Sequence, residues 1–331
     1  MSYGRVLKPK FYTDAINFLK INGKAKSDIL TDRAGTYNSG FDVFDLFDLS
    51  PLNKTSYNTS DNTGVHIVIG IDMGDSGVDV DYFALLNHNL NTAKGKIRIA
   101  HDTSAITVAG GGTIVANSVE ILNSTLEGDP EVVAPAADGD TLFSFDSSSD
   151  RYWSIEIQDD LGFSSTDAND LVMGCAMLGE MYTMPFSPNL EINHTFSMGG
   201  VSVLEGMGGK RFAGNRWIKG NLESVSTNYM PFRLDIGAQQ LPGRESYAMA
   251  YSTIADTDLL PSNIGAPSGN NFAVNVFSKT GWQTLPFIFT INSASTSNGD
   301  YLFARLVGDS YSFTQMAYKV HNTAFSIEQE F

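Results

Sequence analysis

The sequence predicts an all-β protein with two β-sandwich domains behind a short helical or extended N-terminal segment. Three observations carry that prediction. With 21 Phe, 13 Tyr and 42% apolar residues, the chain has ample material for packed cores, much of it in side chains that favour pleated, half-buried surfaces. Its 31 glycines, with recurrent Ser, Thr and Asn clusters, punctuate it at the short intervals that tight turns require. At 331 residues it also exceeds the size at which one core stops growing, about 250 residues, so two domains are expected.

The elements follow in order. Residues 1–34 form the N-terminal segment. Within it, Phe11, Ala15, Phe18 and Leu19 share one face of a helix predicted over 11–24, which Asn22-Gly23 would stop and Pro9 could only precede. From residue 65 the period shortens to strands: VHIVIGIDM, VDYFALLNHNL and KGKIRIAHD, the last alternating at Lys96-Ile97-Arg98-Ile99 like a strand with one wet side.

Residues 102–139 are read as a loop insertion in the first sandwich, residues 35–198. TVAGGGTIVANSVEIL suggests a hairpin, whereas NSTLEGDPEVVAPAADGD is small, acidic and proline-bearing. TLFSFD, RYWSIEIQD and LVMGCAMLGEMY resume the strands. Two prolines and a glycine pair in MPFSPNLEINHTFSMGG mark a junction, and residues 199–331 form the second sandwich. Its strands are GVSVLE, KRFAGNRWIKGNLESV, MPFRLDIG, FAVNVFS, LPFIFTIN, YLFARLVG, YSFTQMAYKV and TAFSIEQEF, with SYAMAYSTIADTDLL either a helix or a strand.

Charge and composition narrow the function classes. Asp and Glu outnumber Lys and Arg by 37 to 21, a formal charge of -16, and a field of that sign repels a phosphate backbone. The segment MSYGRVLKPKFYTDAINFLKINGK lacks a continuous apolar h-region, and no stretch approaches about 20 apolar residues, so a protein made in the cytosol and kept soluble, without membrane insertion, is expected. The lone Cys175, among apolar neighbours in LVMGCAMLG, reads as core filling.

Each candidate for chemistry has a plainer reading. Asn87, His88 and Asn89 stand where an apolar run ends, and their mixed donors and acceptors suit a structural turn that satisfies the emerging backbone; His66, His101, Asp72, Asp79 and Asp81 would have to converge on His88 to make a metal or base site. The loop IDMGDSGVDVD, with Asp72, Asp75, Asp79 and Asp81, has the composition of a calcium site without the spacing of a helix-flanked calcium loop. A solvated loop is the favoured reading, no cofactor is expected, and calcium is the one ion such a loop would suit. GGGT at 110–113 and GMGG at 206–209 lack the lysine and the βαβ context of a phosphate loop. Carboxylate pairs at Asp159-Asp160 and Glu328/Glu330 leave a glycosidase as a third reading, which would require two facing acids about 5–9.5 Å apart; no catalytic residue is assigned. Tyr57, Tyr152, Trp217, Tyr229 and Trp282 are candidates to stack on a glycan, and each equally suits a place in the core or an interface anchor.

One resemblance goes further. VDYFALLNHNLNTAKGKIRIAHD, then DGDTLFSFDSSSDRYWSIEIQDD and NDLVMGCAMLGEMYTMPFSPNL, resemble the discoidin-like, jelly-roll domains in virion proteins of tailed bacteriophages, particularly marine ones. The match spans roughly residues 40–200; the opening RVLKPKFYTDAINFL fits the same pattern, and the chain's end looks like an accompanying C-terminal domain. The resemblance implies a non-enzymatic tail, baseplate or fibre-attachment subunit located in the virion, touching other virion proteins in a symmetric homo-oligomeric assembly; residues 1–34 and 102–139, which lack a core of their own, are the expected contact arms. The alternative it leaves open is a carbohydrate-binding module for a host-surface glycan.

Overall fold

Lys10–Asp14, expected to open a helix, is an inner strand of the largest sheet. The computed structural model describes residues 7–59, 66–75, 78–127, 132–159, 170–190, 192–197, 201–205, 211–215, 244–261, 269–308 and 311–330. Phe11 and Tyr12 send their rings to opposite faces of the strand, each into a different buried cluster. The helix begins only at Ala15, where the Asp14 carboxylate accepts from the Asn17 N–H at 2.7 Å, and it ends at Ile21. Helical spacing of Phe11, Ala15, Phe18 and Leu19 therefore overstated the helix by a full turn: β-sheet pairing on both sides of Lys10–Asp14 outweighs it.

The architecture is all-β, as the sequence predicts. Among the described residues, one large antiparallel sheet runs in the order Asn193–Ser197, Arg244–Ala255, Val320–Gln329, Tyr301–Val307, Phe287–Thr290, Lys10–Asp14, Cys175–Thr183, Val80–His88, Gly139–Ser148 and Val119–Leu122, with Phe313–Ala317 also paired to Val320–Gln329. A second sheet runs Leu30–Ala34, Ile67–Asp72, Tyr152–Asp159, Gly95–Asp102, Val132–Ala134 and Thr125–Leu126, with Thr113–Ile114 paired to Gly95–Asp102.

The two sheets enclose the first core. Phe83, Leu85, Phe143, Ala176 and Leu178 of the large sheet meet Ile69, Ile71, Ile97, Ile99, Trp153, Ile155 and Ile157 of the smaller one, and all are buried. Further along the same face of the large sheet lies a second core of Phe11, Tyr182, Phe287, Phe289, Phe325 and Ile327, against which Phe272, Val276 and Phe277 pack. The reverse face buries Tyr12, Tyr82, Ala84, Cys175, Ile288, Tyr301 and Phe303.

Several expectations change in detail. The described part of residues 1–34 is not an arm: Lys10–Asp14 pairs with Cys175–Thr183 on one side and Phe287–Thr290 on the other, joining the strands of the chain's two halves. Residues 102–139 are not one open loop. Thr113–Ile114 joins the smaller sheet and Val119–Leu122 the larger, so the expected hairpin is a crossing between sheets instead. FAVNVFS is helical over Ala273–Ser278, because Asn271 accepts from the Val274 N–H at 3.0 Å and a helical turn puts Phe272, Val276 and Phe277 on one buried face, which strand alternation would not. SYAMAYSTIADTDLL is a strand, Arg244–Ala255, followed by a helical turn, Asp256–Leu259. The strand expected at MPFRLDIG lies outside the described residues.

Candidate functional site

At the end of Val80–His88 the chain leaves the core through Asn87, whose φ of 55° is a left-handed conformation that Asn tolerates better than most residues. Its N–H donates to Asp140 Oδ1 at 2.9 Å and its Nδ2 donates to the Pro51 carbonyl at 2.7 Å. His88 is buried. Its Nδ1 accepts from the Leu90 N–H at 3.2 Å, leaving Nε2 to donate to Thr141 Oγ1 at 2.8 Å. Burial pushes this imidazole down to about 3, so it is neutral across the physiological range. Asn89 exchanges bonds with the strand Leu171–Met173, accepting from the Val172 N–H at 2.7 Å and donating to the Asp170 carbonyl at 2.8 Å. All three side chains are thus held by protein groups.

In the acidic loop, Arg151 sits where a cation would be drawn. Its guanidinium contacts Asp72 through Nε at 2.8 Å and Nη2 at 2.9 Å, and Nη1 reaches Asp75. That guanidinium holds the Asp72 carboxyl below the usual carboxylate range. Asp79 is exposed, and Asp81 turns away to accept the Met181 N–H at 2.8 Å. Among the described residues no group of three His, Cys, Asp or Glu side chains converges to hold a metal ion.

The aromatic candidates divide. Tyr57 takes the core alternative: it is fully buried, its ring packs 4.0 Å from that of Tyr37 and the two hydroxyls bond to each other, so it is not a platform. Tyr152 is half-buried beneath Arg151, whose guanidinium lies 4.9 Å from the ring centroid. Trp217 and Tyr229 lie outside the described residues.

Trp282 is 57% exposed. It occupies a turn at φ 68°, with its N–H donating to the Phe277 carbonyl at 2.9 Å, and its ring stacks on Phe277 at 5.5 Å and 17°. Tyr311 completes the group, 4.4 Å from Phe277 and 6.2 Å from Trp282. The indole is therefore fixed by packing while its outer face stays open.

Tyr311 also borders a groove of about 440 Å³ that sequence reasoning did not find. The groove floor is made by Ala248 and Ala250 of Arg244–Ala255 and Ala324 and Ser326 of Val320–Gln329, with Asn189 and Asn193 on one side and Val307 and Gly308 on the other. The Tyr311 hydroxyl is buried without a hydrogen-bond partner among the described residues, and burial pushes it up to about 12. A signal for the groove was present in YAMAYS, where alanines at 248 and 250 alternate with Tyr247, Met249 and Tyr251 and leave one strand face shallow.

The remaining motifs serve the fold. Gly110 donates its N–H to Glu156 Oε1 at 2.9 Å, so the glycine loop at 110–113 cradles the protein's own carboxylate, which Arg98 meets at 2.8 Å. GMGG at 206–209 lies outside the described residues. Glu328 and Glu330, the second carboxylate pair, are each matched to an arginine: Arg244 at 3.2 Å and Arg305 at 3.0 Å. Cys175 is buried on the reverse face of the large sheet, where burial raises its thiol well above the ordinary value.

No family model and no curated protein matches the chain. Two solved structures show a distant likeness. Chitosan-binding module 1 from a chitosanase/glucanase of Paenibacillus sp. IK-5 is 15% identical with a TM-score of 0.31, over 46% of this chain and 93% of that one. The CBM32-1 and CBM32-2 domains of Clostridium perfringens ZmpB are 10% identical with a TM-score of 0.32, over 54% of this chain and 42% of that one. At these values neither likeness transfers a ligand or a residue role.

Proposed function

We propose that the protein is a non-catalytic binding module that takes a saccharide on the surface formed by Trp282 and Tyr311. The observation that carries this reading is the Trp282 ring: open to solvent on one side, stacked on Phe277 on the other and held in a turn, it offers the flat apolar face against which the C–H face of a sugar ring packs at little entropic cost. Tyr311 touches both this surface and the groove, whose floor of Ala248, Ala250, Ala324 and Ser326 lies on the sheet face opposite Phe325 and Phe277.

A glycan array followed by calorimetry tests the reading. Trp282→Ala is expected to weaken the best saccharide ligand at least about tenfold, a loss of about 1.4 kcal/mol, while thermal stability stays near that of the wild type. An array on which the wild-type protein captures no saccharide overturns it.

A second reading, assembly into a virion through protein contacts, is favoured by one observation besides the sequence resemblance. The hairpin of Phe313–Ala317 and Val320–Gln329 leaves Met316 63% and Tyr318 83% exposed, and the outer edge of Phe313–Ala317 is unpaired among the described residues. Large exposed apolar side chains on an open edge suit a neighbouring subunit. Mass spectrometry of purified phage particles in which this protein is absent would rule this reading out.

A further inference from the structure

We infer that the ligand is an uncharged saccharide, one unit of which lies in the groove beside Tyr311; this rests on the saccharide reading above and deepens it. The floor sets the shape. Ala248 pairs with Ser326 and Ala250 with Ala324 across adjacent strands, so small side chains stand together on one sheet face and leave room that larger residues would fill. At about 440 Å³ the groove falls in the range of small-ligand sites, roughly 300–1,000 Å³. Methyl groups and a serine hydroxyl below, with asparagine amides at the margin, match the alternation of C–H and O–H groups on a pyranose.

Charge sets the class. None of the described residues lining the groove carries a formal charge. The arginines on the strands around it are matched to carboxylates, Arg244 with Glu328 and Arg305 with Glu330, and His194 lies 3.6 Å from Glu245. A ligand carboxylate or sulfate would find no cation among the described lining residues and would also face a protein of net charge -16. Among the described lining residues a ligand amine would find no carboxylate to offset its desolvation.

The test is an array of neutral, amine-bearing, carboxylated and sulfated oligosaccharides, followed by calorimetry of the best binder with wild-type protein, Trp282→Ala and Ala324→Trp at about 0.05 and 0.5 M salt. Ala324 is exposed, so its replacement fills the groove from the solvent side; Ala248→Leu serves if Ala324→Trp does not fold. Neutral oligosaccharides are expected to bind with less than about twofold change across that salt range, and the groove variant is expected to lose at least about tenfold in affinity. A charged best ligand whose affinity falls more than about fivefold with salt, or a groove variant that binds like wild type, overturns this inference while leaving the saccharide reading standing. No saccharide on the array overturns both.

Discussion

His88 Nε2 donates to Thr141 Oγ1 across the ladder between Val80–His88 and Gly139–Ser148, and the same threonine hydroxyl donates onward to the Asn123 carbonyl at 3.1 Å. The relay ties the end of a core strand to the segment that precedes Gly139–Ser148. It also fixes the tautomer of a fully buried imidazole.

A pH dependence follows from that burial. The unfolded chain takes up a proton at His88 near pH 6.5, but the folded one does so only near 3, so folding stability is fully present above about 6.5 and declines as pH falls toward 3. The slope integrates to roughly 5 kcal/mol at most. Denaturant titrations of wild type and His88→Gln at several pH values should show the decline in wild type and a flatter profile in the variant, whose amide still donates to Thr141. Parallel profiles would contradict this account of His88.

Asp81 has the opposite sign. Burial, with the nearby Glu180 charge adding to it, raises its carboxyl to about 7, against the lowering effects of the Met181 N–H, Lys10 and Lys279. The folded protein therefore holds a proton there that the unfolded chain has already released, and stability attributable to this group falls as pH rises from about 4 to about 7. Asp81→Asn keeps an acceptor for the Met181 N–H and removes the charge. Its melting temperature should exceed that of wild type at pH 8, by a margin that vanishes near pH 4.

Asp14 ends one element and starts another. Its carboxylate accepts from the Asn17 N–H at 2.7 Å, from Asn17 Nδ2 at 2.8 Å and from the Leu178 N–H at 3.3 Å, all in buried surroundings. Asp14→Ala should cost about 2 kcal/mol or more in denaturant unfolding, the cap together with donors left unpaired. Asp14→Asn, which keeps an acceptor oxygen, should cost less than half of that.

These cases also separate what is legible in the sequence from what is not. Lys96-Ile97-Arg98-Ile99 declares a strand because alternation is local, and Ile97 and Ile99 do face the core. Phe11, Ala15, Phe18 and Leu19 fit a helix by spacing alone; only the strands on either side, which come from residues near 180 and 290, make Lys10–Asp14 extended. Trp282 could be nominated by residue type, yet its orientation depends on Phe277 in a helix the sequence disguised as a strand. The groove is harder still. Its floor consists of alanines from two strands far apart in the chain, and no single segment states that Ala250 and Ala324 will be neighbours.

The junction between Lys10–Asp14 and Cys175–Thr183 depends on the absence of one side chain. A Cβ placed on Gly179 would stand 2.0 Å from the Thr13 carbonyl oxygen and 2.9 Å from the Ala15 nitrogen, both of them backbone atoms that cannot swing aside. The Gly179→Ala variant must therefore separate the N-terminal strand from its partner just where Asp14 pairs with residue 179. Overpacking of this kind lies at or above the upper end of its usual range, so about 3 kcal/mol of destabilisation is expected. Because Lys10–Asp14 also pairs with Phe287–Thr290, the damage should reach both halves of the chain. Amide hydrogen exchange should show protection lost in 10–14, 175–183 and 287–290 together, and unchanged protection at 287–290 would mean that the N-terminal strand does not couple the halves.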